Sequence, residues 1–512
     1  MAWEPPGVTP SAPREWEARV RGILRVLADV HARAATAAEA DLRAAEEWQR
    51  AAYERAAASA DEARQQAEDA GTEQVAAARA SAARTAAELA PGLASADFGA
   101  AGWTTTEFVG TGMPAYVRIG TASVNSAGPV PAVFPLLDCR GWQLWSDTAD
   151  NARGFTQGVL LRAVGAADPT RLRVDAYDPR LTGMLGVLGR LTEQAPAVVP
   201  PALHSTDELG TLLADLVATS SHRATALAQW GHRDFPEWLA ADPHVTEPFR
   251  LVVLLDYPAG VDARANAELV RVAGSAQERG LCLLVHYNET IASDVDTRAL
   301  LDQLRPVVLE GDEVGTPELD TVPVRADPRP GPAFSAVVCD VVAGIARRSA
   351  TPNGGALDVY STRTPNKAWE VYVAAMRTLA ETPAVREASQ RRAGEHAAGQ
   401  RASADGRVTT AERTGRQLAE RKTRIDELAH RATIAHGLVA DGAVLDVPAP
   451  QPESAKAAVA LIDRVERQLR DDLDALDRAR RRVAEQRRKV AVLVAVAAIV
   501  VAATVLILLA AL

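Results

Sequence analysis

The strongest constraint on this chain is its last 23 residues. Val490–Leu512 has no charged side chain, and its only polar one is Thr504. As a helix rising about 1.5 Å per residue it is about 34 Å long, enough for a hydrocarbon core of about 30 Å. The twelve residues before it, Arg478–Lys489, hold seven basic residues and one acid, Glu485. Arg487, Arg488 and Lys489 abut the apolar run, and by the positive-inside rule such a flank stays in the cytoplasm. The expectation is a single-pass tail anchor in a bacterial cytoplasmic membrane, with every other domain on the cytoplasmic side and the bilayer as a partner. The other end is unlike it. Residues 1–13 are Pro-rich and polar, lack the apolar core of a signal peptide, and read as disordered.

Between these ends the composition changes several times. Residues 14–95 are helical in character: 26 of the 60 residues in 31–90 are alanine, with Glu, Arg and Gln between them and no proline before Pro91. An alanine stripe buries little area, so this helix needs another helix or another copy of itself. Gly71 is a candidate break. Residues 103–350 alternate apolar runs with helical stretches. Strands are expected at Tyr116–Ile119, Trp142–Ser146, Arg171–Tyr177, Arg250–Asp256, Leu281–His286 and Pro306–Leu309. Helices are expected near Ala152–Val164, Thr206–Leu227, Asp262–Glu278 and Ala333–Arg348. Continuous apolar strands separated by helices indicate a parallel sheet covered on both faces. Residues 366–440 return to helix, with a break expected at Pro383, and 441–453 form a Pro-rich linker. Residues 454–489 form an amphipathic stalk in which Ile462, Leu469, Leu476 and Val483 recur every seven residues. Asp472 weakens that seam. A solvated stalk and an oligomeric coiled coil both fit.

Several local sequences in 115–350 resemble the FtsK/SpoIIIE branch of RecA-like P-loop motors. Arg118–Gly120 (RIG) is similar to the opening strand of that group, and WQLWS at Trp142–Ser146 to its P-loop strand. DAYDPR at Asp175–Arg180 resembles a strand ending in Asp-Pro and a basic residue. LVVLLDYPAG at Leu251–Gly260 resembles the Walker B strand, and ERGLCLLVHYNE at Glu278–Glu289 the strand that senses the γ-phosphate. The fold class this implies is α/β, a RecA-like P-loop-type parallel sheet flanked by long helical or coiled-coil segments and a C-terminal transmembrane helix. The resemblance covers less than half of the chain.

The chemistry of that family is not matched. A Walker A loop needs GxxxxGKS/T, so that backbone N–H groups cradle phosphates, lysine reaches the β- and γ-oxygens, and the hydroxyl holds Mg²⁺. Here the loop runs Ser146-Asp147-Thr148-Ala149-Asp150-Asn151-Ala152-Arg153-Gly154. The chain has four lysines, at 367, 422, 456 and 489, so none lies in this domain. Asp147 and Asp150 would repel a polyanion. Arg153 stands at the lysine position, and Gly154 then removes the Mg²⁺ hydroxyl. The Walker B position keeps one acid, Asp256, with Tyr257 in place of the second, and Asn288 is the polar candidate on the sensor strand. Any nucleotide site is therefore Arg153, Asp256 and Asn288, and neither ATP with Mg²⁺ nor another cofactor is expected.

Other chemistries lack support. The three cysteines are scattered, and the nine histidines form neither HExxH nor an i,i+4 pair, so no metal site is expected. A net charge of −10 and 4% aromatic residues disfavour nucleic acid. The sequence reads as a non-catalytic, tail-anchored scaffold or tether whose pseudo-ATPase domain recruits or organises a cytoplasmic assembly. Its protein partners would be further copies of itself or an active motor of the same family. The alternative is an active or nucleotide-binding translocase subunit that uses Arg153 in place of lysine.

Overall fold

The computed structural model describes residues 10–105, 113–123, 128–242, 245–348, 367–438 and 454–510, with side chains in the last stretch as far as Thr504. The linker 441–453, the connection at 351–365 and most of the N-terminal segment 1–13 lie outside the described residues. The chain divides into two compact units, Ala67–Ala388, and Met1–Gln66 together with Ser389–Leu512. In chain order the elements are α1 (Pro13–Leu89), β1 (Tyr116–Ser123), β2 (Pro129–Pro135), β3 (Gly141–Ser146), α2 (Ala149–Ala166), β4 (Leu172–Tyr177), α3 (Gly189–Gln194), α4 (Thr206–Trp230), α5 (Phe235–Ala241) and β5 (Phe249–Tyr257). There follow α6 (Ala263–Ser275), β6 (Leu281–Tyr287), α7 (Arg298–Leu301), β7 (Arg305–Glu310), β8 (Glu313–Gly315), β9 (Val324–Ala326), α8 (Pro332–Arg348), α9 (Lys367–His436) and α10 (Ala455–Ala510).

The unit Ala67–Ala388 is a mixed α/β domain around one sheet, ordered β2-β1-β9-β8-β7-β3-β6-β5-β4. Strands β7, β3, β6, β5 and β4 run parallel. Strands β8, β9, β1 and β2 extend the sheet in antiparallel fashion. The parallel part is covered on both faces, as its unbroken apolar strands require, and β5 is buried at all nine positions. One face packs α2 and α8 with Trp103, Phe134 and Trp142. The other packs α4, α6 and α7 through Leu209, Leu216, Leu269 and Leu300. Gly120 of β1 has to be glycine: a Cβ there would lie 2.1 Å from the Arg325 carbonyl oxygen of β9.

Strand β2 escapes a reading by composition because Pro129, Pro131 and Pro135 argue against a strand. Those prolines suit an edge, where N–H groups have no ladder partner. The edge is also covered. The Tyr372 hydroxyl donates to the Pro131 carbonyl at 2.8 Å and accepts the Val133 N–H at 3.1 Å. The compact unit is thus wider than 103–350: Ala78, Ala82 and Ala86 of α1, and Tyr372, Met376 and Leu379 of α9, belong to its core. The breaks expected at Gly71 and Pro383 do not occur, for α1 and α9 are continuous through them. Gly71 instead admits the Arg386 side chain, whose Cδ is 3.6 Å from where a Cβ would stand. Beside Pro383, which has no N–H to give, the Thr382 hydroxyl bonds the Thr378 carbonyl at 2.6 Å.

The second unit is a three-helix bundle. Val20, Ile23, Leu27 and Val30 of α1 pack with Leu418, Ile425 and Ala432 of α9 and with Ile462, Val465, Leu469 and Leu476 of α10. Of the seven-residue seam, Ile462, Leu469 and Leu476 are therefore buried inside the chain, while Val483 is half-buried. Asp472, its apparent flaw, is buried and ion-paired with buried Arg19 at 2.8 Å. The contacts also give direction. Arg421 meets Asp463, and His436 meets Asp477, so α9 and α10 run parallel. α1 runs against both, with His31 near Leu418 and Glu17 bonded to Arg480.

Beyond Val483, α10 leaves the bundle, and Ala484–Thr504 are all exposed. Among the described residues no helix is long and apolar enough to cross a membrane. The reading of 490–512 as a span extends over 505–512, whose side chains lie outside the described residues.

Candidate functional site

The sheet nominates its own site. β3 leaves for β4 through α2 on one face, while the neighbouring β6 leaves for β7 through α7 on the other. Ligands of open α/β sheets bind outside the carboxyl ends of strands where the connections diverge in this way. The residues there are the β3–α2 connection, the end of β5 and the end of β6.

The β3–α2 connection is two residues long, Asp147 and Thr148. Thr148 is the N-cap of α2, and its hydroxyl accepts the Asn151 N–H at 3.3 Å. The Ala152 N–H goes to the Thr148 carbonyl at 3.1 Å and the Asp147 N–H to the Leu309 carbonyl at 3.1 Å. The Thr148 N–H goes to the Ser146 hydroxyl at 3.4 Å. Four N–H groups that a phosphate cradle would need are thus already taken. The Asp147 carboxylate accepts from the Asn151 amide at 3.0 Å and the Gly311 N–H at 2.9 Å. Those two bonds, the amide first, hold its carboxyl below the usual carboxylate range, so the charge is firmly present.

Arg153 does not face an open loop. Its guanidinium donates to Asp150 at 2.8 Å and to the Thr182 carbonyl at 3.2 Å. At Gly154 a Cβ would stand 3.6 Å from the Arg329 side chain. The residues present do not fit a Mg²⁺-nucleotide: the cradle is filled, the cation is tied to an acid, and no hydroxyl stands next to it.

Asp256 and Asn288 are brought together. The Asn288 side-chain amide donates to Asp256 Oδ1 at 3.2 Å, and the Asn288 N–H donates to the Tyr257 carbonyl at 2.9 Å. Asp256 is buried and its backbone is left-handed, φ 52°. Two further residues hold it there. Its N–H donates to His286 Nδ1 at 3.3 Å, and Arg180 Nε lies 3.6 Å from Oδ2. Burial pushes the His286 imidazole down, and the nearby Asp256 charge opposes this only in part, so the ring is neutral at pH 7 with its proton on Nε2. Tyr257 turns elsewhere: its buried hydroxyl donates to Asn266 Oδ1 at 2.7 Å on α6.

The sequence reading missed His286 and Arg180 as members of this cluster. Both sit in the strand-end motifs, but only the fold brings His286 into hydrogen-bond contact with Asp256 and Arg180 to ion-pair distance from it. Among the described residues there is no group of three His, Cys, Asp or Glu that could hold a metal ion.

No protein-family model matches the chain, and no curated protein matches it. Solved structures give remote likenesses. EssC (ATPases 2 and 3) from Geobacillus thermodenitrificans is 12% identical with a TM-score of 0.37, over 46% of this chain and 50% of that one. The cytoplasmic domain of the Type VII secretion ATPase EccC from Thermomonospora curvata is 16% identical with a TM-score of 0.35, over 45% and 31%. The pCW3 conjugation coupling protein TcpA, solved with ATPγS, is 16% identical with a TM-score of 0.29, over 40% and 56%. The chain spans about half or less of the first two structures.

Proposed function

We propose that this chain is a non-catalytic membrane tether: a scaffold whose α/β unit, built on the plan of a P-loop motor but without its chemistry, recruits or organises a cytoplasmic protein assembly. The observation that carries the reading is the β3–α2 connection. A motor keeps a long, glycine-rich loop of free N–H groups there. This chain has two residues, a self-capped helix and a fixed carboxylate. The anchor is Val490–Leu512, with Arg487, Arg488 and Lys489 at the headgroups on the cytoplasmic side. What supports it is the exposed apolar surface of Val490–Thr504, which water disfavours, next to a basic collar. Among the described residues Arg480 is the last of α10 bonded to the bundle, and Val490 follows about 15 Å further along the helix. The bundle would thus stand close to the lipid surface.

The rival reading, a translocase subunit using Arg153, draws on one observation, the part-buried Asp256–Asn288 pair. It requires Arg153 to leave Asp150. Equilibrium ATP binding and turnover by the full chain in detergent micelles, with Asp256→Ala as control, separates the two. No saturable binding at millimolar ATP and no turnover are expected. Turnover that disappears in D256A would refute the tether. In liposome flotation, deletion of 490–512 should release the protein; co-flotation of the deleted form would refute the anchor.

A further inference from the structure

The turns of α10 just before its apolar segment concentrate positive charge. From Arg481 to Lys489 there are five cations, Arg481, Arg482, Arg487, Arg488 and Lys489, and one acid, Glu485. All six are exposed. Glu485 pairs with Lys489 at 3.1 Å, yet Arg481, Arg482 and Arg488 also stand one turn from it, so one carboxylate faces four cations. Among the described residues, Arg481, Arg482, Arg487 and Arg488 have neither a hydrogen bond nor an ion pair. The acids nearby on other turns and helices are engaged. Asp477 meets His436 at 3.3 Å, Glu17 of α1 is bonded to Arg480, and Glu15 accepts the Ser11 N–H at 2.7 Å at the start of its own helix. Asp474 precedes Arg478 by one turn and offsets its charge. The excess is therefore carried by the residues beyond Arg478.

These cations form two tiers. Arg487, Arg488 and Lys489 adjoin Val490, while Arg481 and Arg482 stand about 12–14 Å before it along the axis. At about 100° per residue, Arg481, Arg482, Arg488 and Lys489 fall within about 120° of arc, opposite the line of Leu476, which is buried in the bundle. The bundle therefore does not cover them. A headgroup layer is about 5–7 Å thick and the Debye length at physiological salt is about 8 Å, so both tiers lie within the field of a charged lipid surface once Val490 enters the hydrocarbon. Four of the five cations are arginine, whose planar fork matches two oxygens of a phosphate. The excess of positive charge then selects lipids whose phosphate is not neutralised by their own headgroup.

We propose that this face of α10 binds anionic phospholipids of the cytoplasmic leaflet, several at once, so that the protein favours membranes by their surface charge. The inference rests on the tether reading, since it needs Val490–Leu512 in the bilayer, and it adds the class of lipid that meets the chain there. Each basic residue near an anionic surface is worth about fivefold in affinity, so two tiers select more sharply than the first alone.

The native cysteines Cys139, Cys282 and Cys339 are buried, so Gln486→Cys places a fluorophore selectively at an exposed position between the tiers. The labelled full chain is reconstituted in phosphatidylcholine vesicles holding a nitroxide-bearing lipid, either phosphatidylglycerol or phosphatidylcholine, at equal mole fraction. The phosphatidylglycerol probe should concentrate about fivefold or more near the label, read as stronger quenching. That excess should vanish in about 1 M NaCl, where the Debye length is about 3 Å. Arg481→Gln together with Arg482→Gln, both exposed positions, should reduce the excess severalfold and leave quenching by phosphatidylcholine unchanged. Equal quenching by the two lipids, or an excess untouched by R481Q/R482Q, would overturn the proposal while leaving the tether standing. No quenching by either lipid would overturn the tether, and this inference with it.

Discussion

Asp327→Asn tests the most heavily charged part of the α/β core. The Asp327 carboxylate lies between two guanidiniums, with Arg118 at 2.8 Å and Arg162 at 2.6 Å. Arg162 is almost wholly buried, stacks 4.0 Å over the Phe98 ring, and also donates to the Ala96 carbonyl at 3.3 Å. Burial lowers its pKa from the usual arginine range to about 10, the charge of Asp327 opposing the fall and that of Arg118 adding to it. A shift of that size means that holding the cation inside costs about 3 kcal/mol even with the carboxylate present. Asparagine keeps the volume and removes the charge, leaving two buried like charges facing each other. Breaking a buried pair in this way costs about 3–5 kcal/mol. Urea unfolding followed by tryptophan fluorescence reports on the region, because Trp103 packs against Phe98 and Phe334 at 5.4 and 5.9 Å. A loss below about 1 kcal/mol would refute the reasoning and mean that water reaches the cluster. Replacing all three residues with apolar ones of similar volume should cost far less than D327N alone.

The remaining predictions concern the strand-end histidine and the bundle seam. The folded His286 imidazole titrates below its ordinary value near 6.5, so the folded protein binds fewer protons than the unfolded one just below that pH. The stability it contributes is full above about pH 6.5 and is lost as pH falls through the folded value. His286→Gln should flatten the urea midpoint between pH 7 and 5 relative to wild type, and an unchanged slope would exclude His286 as the source. In the bundle, Asp472→Leu should destabilise by about 3 kcal/mol, because Arg19 loses its buried carboxylate, whereas R19M/D472L should fall within about 1 kcal/mol of wild type. Both effects should be independent of protein concentration. A concentration-dependent midpoint would mean that the seam closes between chains.

How far the fold could be read from sequence depended on which force fixed each element. The parallel strands were legible because burial on both faces demands unbroken apolar runs, as at Leu251–Leu255 and Leu281–Val285. β2 was not, because its prolines obey the rules of an edge, and an edge is defined only by what else is in the sheet. The heptad pattern at Ile462, Leu469 and Leu476 was visible, but periodicity does not say whether the partner is in the same chain. Asp472 looked like a defect until Arg19, 453 positions away, supplied its counter-charge. At the candidate site the spacing of Asp147, Arg153 and Gly154 already argued against a phosphate. Asp256 and Asn288 could each be placed at a strand end, but their hydrogen bond could not. The roles of His286 and Arg180 could not, since they depend on register between strands.

The departure of α10 from the bundle has a rotational consequence. Past Val483 a single helix, exposed as far as Thr504, joins the bundle to the apolar segment. A helix advances about 100° per residue, so this shaft sets the azimuth of one end against the other. Two residues inserted near Gln486 would swing the bundle by about 200°, whereas seven would return it to within about 20° of its starting bearing while moving it about 10 Å along the axis. The shaft thereby fixes a heading as well as a distance between the bundle and the apolar segment.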